Sequence, residues 1–146
     1  MTHLLDVNLL IALAWPSHVH HGVAHRWFQR TGKRDWATCP LTQAAFVRIS
    51  SNPRFIDGAV TPAEAVDFLT AMTSISGHSF WSDHPPLTAA GIVSWQFVTG
   101  HQQVTDAYLI GLCRMHQGRL ATLDRGVSAL VPDPAERAER LAIIPG

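Results

Sequence analysis

Lysine is almost absent: Lys33 stands alone against ten arginines in a chain of 146 residues. Acids and bases balance at eleven each, so no net positive field announces a nucleic-acid binder. Arginine changes that reading locally, because its planar fork pairs with phosphate through two bonds and a few placed cations can serve without a basic surface. Cysteine is scarce as well. Cys39 and Cys113 are too few for a disulfide framework and are not spaced like a zinc knuckle, which points to two reduced thiols in a cytoplasmic protein. No apolar run approaches the roughly 20 residues of a membrane span. No basic stretch precedes a long apolar segment at the N-terminus, so a secretory leader is not expected. Repeats, low-complexity tracts and linkers are also missing. With 47% hydrophobic and 15% charged residues, the chain has the means to build one domain core over residues 1–146.

The pattern of apolar residues predicts strands alternating with helices. His3-Leu4-Leu5 reads as a short buried strand ending at Asp6, and Leu9 to Ala14 as a helix stopped near Pro16. Ser17 is placed to cap a second helix with Val19, Val23 and Trp27 as its buried stripe and Gly32 as its end. Trp36 to Cys39 reads as a second strand. Pro40 then opens a helix that puts Phe46 and Ile49 on one face and closes at Asn52-Pro53. Thr61-Pro62-Ala63-Glu64 is a capping box, followed by Ala65, Phe68, Leu69, Met72 and Ile75 as a buried face and Gly77 as the stop. His78 to Trp81 is a weak third strand, and Leu87 to Val98 has helical spacing up to Gly100. Thr105 is placed to cap a buried helix from Asp106 to Met115 that ends at Gly118. Arg119 to Leu123 reads as a strand running into Asp124, and Leu141 to Ile144 as the last strand. Such alternation implies an α/β fold whose central parallel sheet is covered on both faces.

Three acids occupy informative places in this order. Asp6 and Asp124 each follow a strand directly, and Asp106 opens the buried helix. Sites in open α/β sheets form beyond the carboxyl ends of the strands. Each acid also has an ordinary structural role available: Asp106 can complement the helix dipole, and Asp124, before Arg125-Gly126, can serve a turn. Together with Asp6 they predict an anionic pocket. Clustered like charges need a cation or a proton to coexist. Mg²⁺ or Mn²⁺ answers that need with oxygen ligands, and can activate water and stabilise charge on a phosphate in transit. Asn8 and Thr122 are placed to orient the carboxylates, although Asn8 can equally cap a helix.

Other acid-pocket chemistries lack their signatures. A phosphoaspartyl hydrolase wants a second acid two positions after the first, where Asn8 stands. A receiver domain needs a lysine beside its acids, and Lys33 sits in a helix-ending turn. Neither a Gly-x-x-x-x-Gly-Lys loop nor a Gly-x-Ser-x-Gly elbow occurs. His18, His20, His21 and His25 cluster without a His-Glu-x-x-His pattern, so packing or surface roles are favoured over zinc. The tryptophans and phenylalanines read as core or interface before base-stacking platforms, and Trp27 reads as core.

Four segments taken in order resemble one family. Leu4 to Asn8, Thr42 to Arg48 with Ser51-Asn52-Pro53, Val104 to Leu109, and Leu120 to Gly126 succeed one another as in PIN domains. Over nearly its whole length the chain is similar to VapC-type toxins of bacterial toxin–antitoxin pairs. The resemblance implies a three-layer α/β/α sandwich and an Mg²⁺- or Mn²⁺-dependent endoribonuclease. It further implies a homodimer inhibited by a cognate VapB antitoxin that inserts a segment near the active site. Asp6, Asp106 and Asp124 match the family's metal-site aspartates. Gln43 stands where many relatives carry a further glutamate, which implies weaker or more substrate-dependent metal binding; the Thr42-Gln43 pairing resembles a recurring branch of these toxins. Arg48 and Arg125 are the cations expected nearest an RNA backbone, with an interhelical salt bridge as the alternative for Arg48. Two other functions stay open on the residues: a non-catalytic module of the same fold that binds RNA or protein, and a PIN-like nuclease acting on DNA.

Overall fold

The computed structural model describes residues 1–145. Five strands, β1 (His3–Leu5), β2 (Trp36–Thr38), β3 (His78–Phe80), β4 (Arg119–Thr122) and β5 (Leu141–Ile143), pair in parallel in the order β3-β2-β1-β4-β5. Side chains alternate faces along a strand, and here both faces are apolar. Leu4, Ala37 and Leu120 enter one core, whereas their neighbours Leu5, Trp36 and Ala121 enter the other. The first core is closed by α5 (Val104–His116), whose residues Ala107 to Cys113 are buried without interruption. The second lies under α1 (Val7–Ala14), α2 (His21–Arg30), α3 (Pro40–Ser50) and α4 (Pro62–Thr73). This is the three-layer α/β/α sandwich that the alternation of elements and the family resemblance imply. Both cysteines are free and buried, and burial pushes both thiols up, as fits packing roles.

Helix starts follow their caps. Pro40 and Pro62 occupy first-turn positions, and Thr61 with Glu64 forms the expected reciprocal pair of bonds at 3.2 Å each. Elsewhere tertiary contacts overrule the local pattern. Ser17 caps nothing: α2 begins at His21 after a run of turns, so Val19 is 86% exposed and the buried phase belongs to Ala24 and Phe28. Trp27 is consequently half-buried at the sheet margin, its ring edge-on to His3 at 5.3 Å. Gly32 opens a 3₁₀ turn rather than ending α2. On α4 only Ala65 and Leu69 are buried, while Val66 and Phe68 remain 47% and 43% exposed and Ile75, beyond its end, 46%. That helix ends at Thr73, and Gly77 (φ +97°) instead steers the chain into β3. Thr105 lies inside α5 rather than capping it, because a 3₁₀ turn at His101–Gln103 leads into the helix. The left-handed residue at its far end is Gln117 (φ 54°), not Gly118. The helix α6 (Pro134–Arg140), capped by Asp133, was not foreseen.

The largest departure is at Leu87 to Val98, which is irregular except for a 3₁₀ turn at Trp95–Phe97. Pro85-Pro86 precede it, Gly91 adopts φ +83°, and Ile92 lies against α5 at Gly111. A Cβ on Gly111 would stand 2.5 Å from the Ile92 carbonyl oxygen and 2.8 Å from its Cγ2. Alanine in place of glycine within a helix ordinarily adds about 1 kcal/mol. Here Gly111→Ala is expected to reverse that sign and cost roughly 1–3 kcal/mol through overpacking, measured as a lowered urea midpoint at unchanged m.

Candidate active site

Asp6 is held at the seam between β1 and β4. Its N–H donates to the Ala121 carbonyl at 2.9 Å, continuing the ladder one residue past the strand. Its φ and ψ remain extended, so Asp6 is also the cap of α1: Oδ1 accepts the Val7 N–H at 2.7 Å. The cap is therefore Asp6 and not Asn8. Oδ2 accepts the hydroxyl of Thr122, the fully buried last residue of β4, at 2.8 Å. The same hydroxyl oxygen accepts from Asn8 Nδ2 and from the Asp124 N–H, both at 3.1 Å. Asn8 Oδ1 in turn accepts the Leu123 N–H at 3.2 Å. One hydroxyl thus joins Asp6, Asn8 and the backbone that carries Asp124. The Asp124 side chain is exposed and accepts the Gly126 N–H at 2.8 Å, opening the 3₁₀ turn Arg125–Leu130.

Asp106 enters from the other face, half-buried in the first turn of α5. Burial, then Asp6, then Asp124 push its pKa up to about 7. Burial also raises Asp6; the Thr122 hydroxyl and Val7 N–H oppose it, and Asp124 adds to the rise. The three carboxylates therefore share one electrostatic environment, and among the described residues none pairs with a cation. Among the described residues no three His, Cys, Asp or Glu side chains stand close enough together, as placed, to hold a metal ion between them. Mg²⁺ needs fewer protein ligands than that, being commonly held by one or two carboxylates with several waters.

The structure does not bring every sequence-selected residue to the three aspartates. Gln43, in the first turn of α3, donates Nε2 to Thr38 Oγ1 at 3.0 Å, and Thr38 Oγ1 lies 2.7 Å from His78 Nε2. Gln43 is thus tied to β2 and β3 rather than to an aspartate. Arg48 is exposed in the last turn of α3, five residues beyond Gln43 or roughly 7.5 Å along the axis. Among the described residues it forms no salt bridge. Arg125 is exposed directly after Asp124. The histidine cluster has structural employment: His21 Nδ1 lies 2.7 Å from the Ala12 carbonyl oxygen, and His18 Nδ1 accepts the His20 N–H at 3.0 Å. Sequence reasoning missed Asp83, which follows β3 at the same sheet edge that Asp6 and Asp124 occupy; an acid just past a strand was the available signal.

No protein-family model matches the chain. Individual relatives do. Ribonuclease VapC39 of Mycobacterium tuberculosis is 48% identical over 128 residues, covering 88% of this chain and 92% of the relative. Ribonuclease VapC38 of the same organism is 42% identical over 142 residues, covering 97% and 99%. Among solved structures, M. tuberculosis VapC20, described as a sarcin–ricin loop cleaving toxin, superposes with a TM-score of 0.59 at 15% identity over 87% of this chain and 93% of that one. FitAB bound to an IR36 DNA fragment gives a TM-score of 0.66 at 16% identity over 97% and 94%. These two likenesses concern the fold. The extent and level of identity to the curated relatives, with the aspartates set at one edge of this sheet, show that the chain belongs to the VapC family of PIN-domain ribonucleases.

Proposed function

We propose that this chain is the toxin of a VapBC-type pair, an endoribonuclease that hydrolyses RNA phosphodiesters with Mg²⁺ or Mn²⁺ held by Asp6, Asp106 and Asp124. The observation that carries the reading is the gathering of Asp6, Asp106 and Asp124 at one sheet edge, where burial with Asp6 and Asp124 raises Asp106, burial with Asp124 raises Asp6, and no cation among the described residues pairs with them. When bound, the metal supplies an activated water and neutralises charge on the phosphate. The chain's own residues do the positioning. Thr122 holds Asp6 by its Oδ2, Asn8 holds Thr122 and the Leu123 amide, and the first turn of α5 presents Asp106. Arg125, beside Asp124 and exposed, is suited to a phosphate contact; Arg48 is the more distant candidate. Arg125→Ala is expected to weaken RNA binding and to shallow the slope of log K against log salt by roughly 0.7, the value for one contact to a single strand. Filter binding across a salt series measures it.

Metal-free protein should show the strain of the site directly. Asp106 has a folded pKa of about 7, above its ordinary 3.8. Between those values the folded state binds more protons than the unfolded one, so its contribution to stability is complete below pH 3.8 and is lost as pH rises toward 7. The raised Asp6 acts in the same direction. In chelator, the melting temperature is expected to fall from pH 4.5 to pH 7.5; Mg²⁺ or Mn²⁺ at pH 7.5 should recover it, by about 2.7 kcal/mol at a hundred times Kd.

The proposal includes a VapB-type antitoxin and a homodimer. The exposed apolar side chains of Phe68 on α4 and Ile75 just beyond it are available to a protein partner. It also includes a cytoplasmic location, in keeping with two buried free thiols. No helix among the described residues is long and apolar enough to cross a membrane. The test of the reaction is purified protein on structured RNA and on DNA, with Mg²⁺, Mn²⁺ or chelator. Cutting confined to RNA and abolished by chelator is expected. A folded protein that cuts nothing with metal present is a non-catalytic module, and one that prefers DNA is a deoxyribonuclease.

A further inference from the structure

Between the first turn of α5 and the chain leaving β3 lies a cavity of about 350 Å³ that the aspartate site does not use. Leu41, Pro86, Leu87 and Tyr108 give it apolar walls, and Thr105 and Asp83 are polar members of its lining. It adjoins the aspartates through α5 itself, since Thr105 precedes Asp106 and Tyr108 follows two residues later. Its size and its few polar groups among apolar walls are those of a small-ligand pocket.

Asp83 borders this cavity beside the first turn of α3, and the fold satisfies its carboxylate only in part. Its Oδ1 is buried with no hydrogen-bond partner, an arrangement that costs more for a carboxylate than for a neutral acceptor. Burial raises its pKa, opposed by hydrogen bonding from the Cys39 thiol and from the Leu41 N–H in the first turn of α3. The Tyr108 hydroxyl does not serve it, being donated to the Pro85 carbonyl at 2.8 Å. Among the described residues no cation pairs with Asp83. The aspartate χ2 torsion is broad, and a guest that bonds both oxygens requires rotation about it.

We propose that this cavity takes a guanine base of the RNA beside the scissile phosphodiester, with the Asp83 carboxylate accepting from its Watson–Crick edge and Tyr108, Leu41 and Leu87 packing against the base. The proposal rests on the ribonuclease reading. Single-stranded RNA is read by splaying bases out of the stack and bonding their edges. Guanine alone offers a carboxylate two adjacent donors there, N1–H and the 2-amino group. Adenine and cytosine set an acceptor beside their amino group, and uracil flanks one N–H with two carbonyls. An ionised aspartate has no proton for those acceptors. Asp83 is therefore a specificity-determining residue, separate from the aspartates that hold the metal.

The test substitutes inosine, which lacks the 2-amino group, for guanosine at each position flanking the cut in an RNA that the protein cleaves. One position is expected to lose roughly tenfold in kcat/KM, and Asp83→Asn is expected to erase that difference. Proton–nitrogen spectra of the metal-free wild-type protein supply a readout that needs neither cleavage nor the variant. Guanosine 5′-monophosphate should shift the Leu41, Asp83, Thr105 and Tyr108 amides at lower concentration than the inosine or adenosine monophosphates. Equal responses to the three nucleotides, or an inosine penalty that Asp83→Asn leaves intact, overturn the guanine pocket. Failure to cleave any RNA overturns the ribonuclease reading instead, and the nucleotide titration still decides the pocket.

Discussion

Asp106→Asn is expected to lower RNA cleavage by roughly three orders of magnitude while leaving the protein at least as stable as the parent. The loss is expected because Asp106 is a proposed oxygen ligand of the cation, and such a cation contributes several kcal/mol to the transition state. The stability follows from the same charge. Ionised Asp106 is held half-buried against Asp6 and Asp124, which is why its pKa reaches about 7. Asparagine is neutral at every pH and resembles the protonated acid, so in chelator the variant should melt above the parent at pH 8 and close to it at pH 4.5. Opposite signs for activity and stability separate a functional acid from a structural one. A helix-dipole acid in the first turn would lose stability on this substitution and leave turnover alone. Activity in metal and thermal melts in chelator, across both pH values, decide between the two.

Thr122→Val is the second large effect, and it carries the same sign in both measurements. Valine keeps the shape and removes the hydroxyl that donates to Asp6 Oδ2 at 2.8 Å and accepts from Asn8 Nδ2 and the Asp124 N–H at 3.1 Å. It leaves a buried carboxylate oxygen without its donor and two donors without their acceptor, an expected cost of about 2–4 kcal/mol. Cleavage should fall with it, because Asp6 loses the bond that orients it toward the site. Thr122→Ser, which retains the hydroxyl, is expected to restore most of both. Urea unfolding alongside single-turnover cleavage measures the pair. Full loss in the serine variant would mean that the methyl group's packing, not the hydroxyl junction, matters at this position.

Elements whose signals are local were legible in the sequence. β1 and β4 are apolar runs that lead to an acid, α3 opens on a proline, and α4 opens on a proline with a reciprocal cap. Those same strand ends made Asp6 and Asp124 readable as a pair, and the helix opening at Val104 brought Asp106 toward them. What was not legible depends on packing between distant segments. The apolar spacing of Leu87 to Val98 fits a helix until Ile92 is set against Gly111. The stripe through Val19 failed because α2 starts four residues after Ser17, at His21. Gln43 looked like a substitute for an acid at the metal site, yet its amide is bonded to Thr38, which adjoins His78, a residue far away in sequence. Asp83 was not legible because its strand is weak and its neighbours, Leu41 and Tyr108, come from two other elements.

Asp6, Asp106 and Asp124 are proposed to hold a divalent cation jointly. Calorimetric titration of Mn²⁺ into the metal-free wild-type, Asp6→Asn and Asp106→Asn proteins at pH 7.5 tests it most directly. Saturable binding to the wild-type protein, released by chelator and weakened at least tenfold in each variant, is the predicted result; equal Mn²⁺ affinity in all three proteins would contradict it.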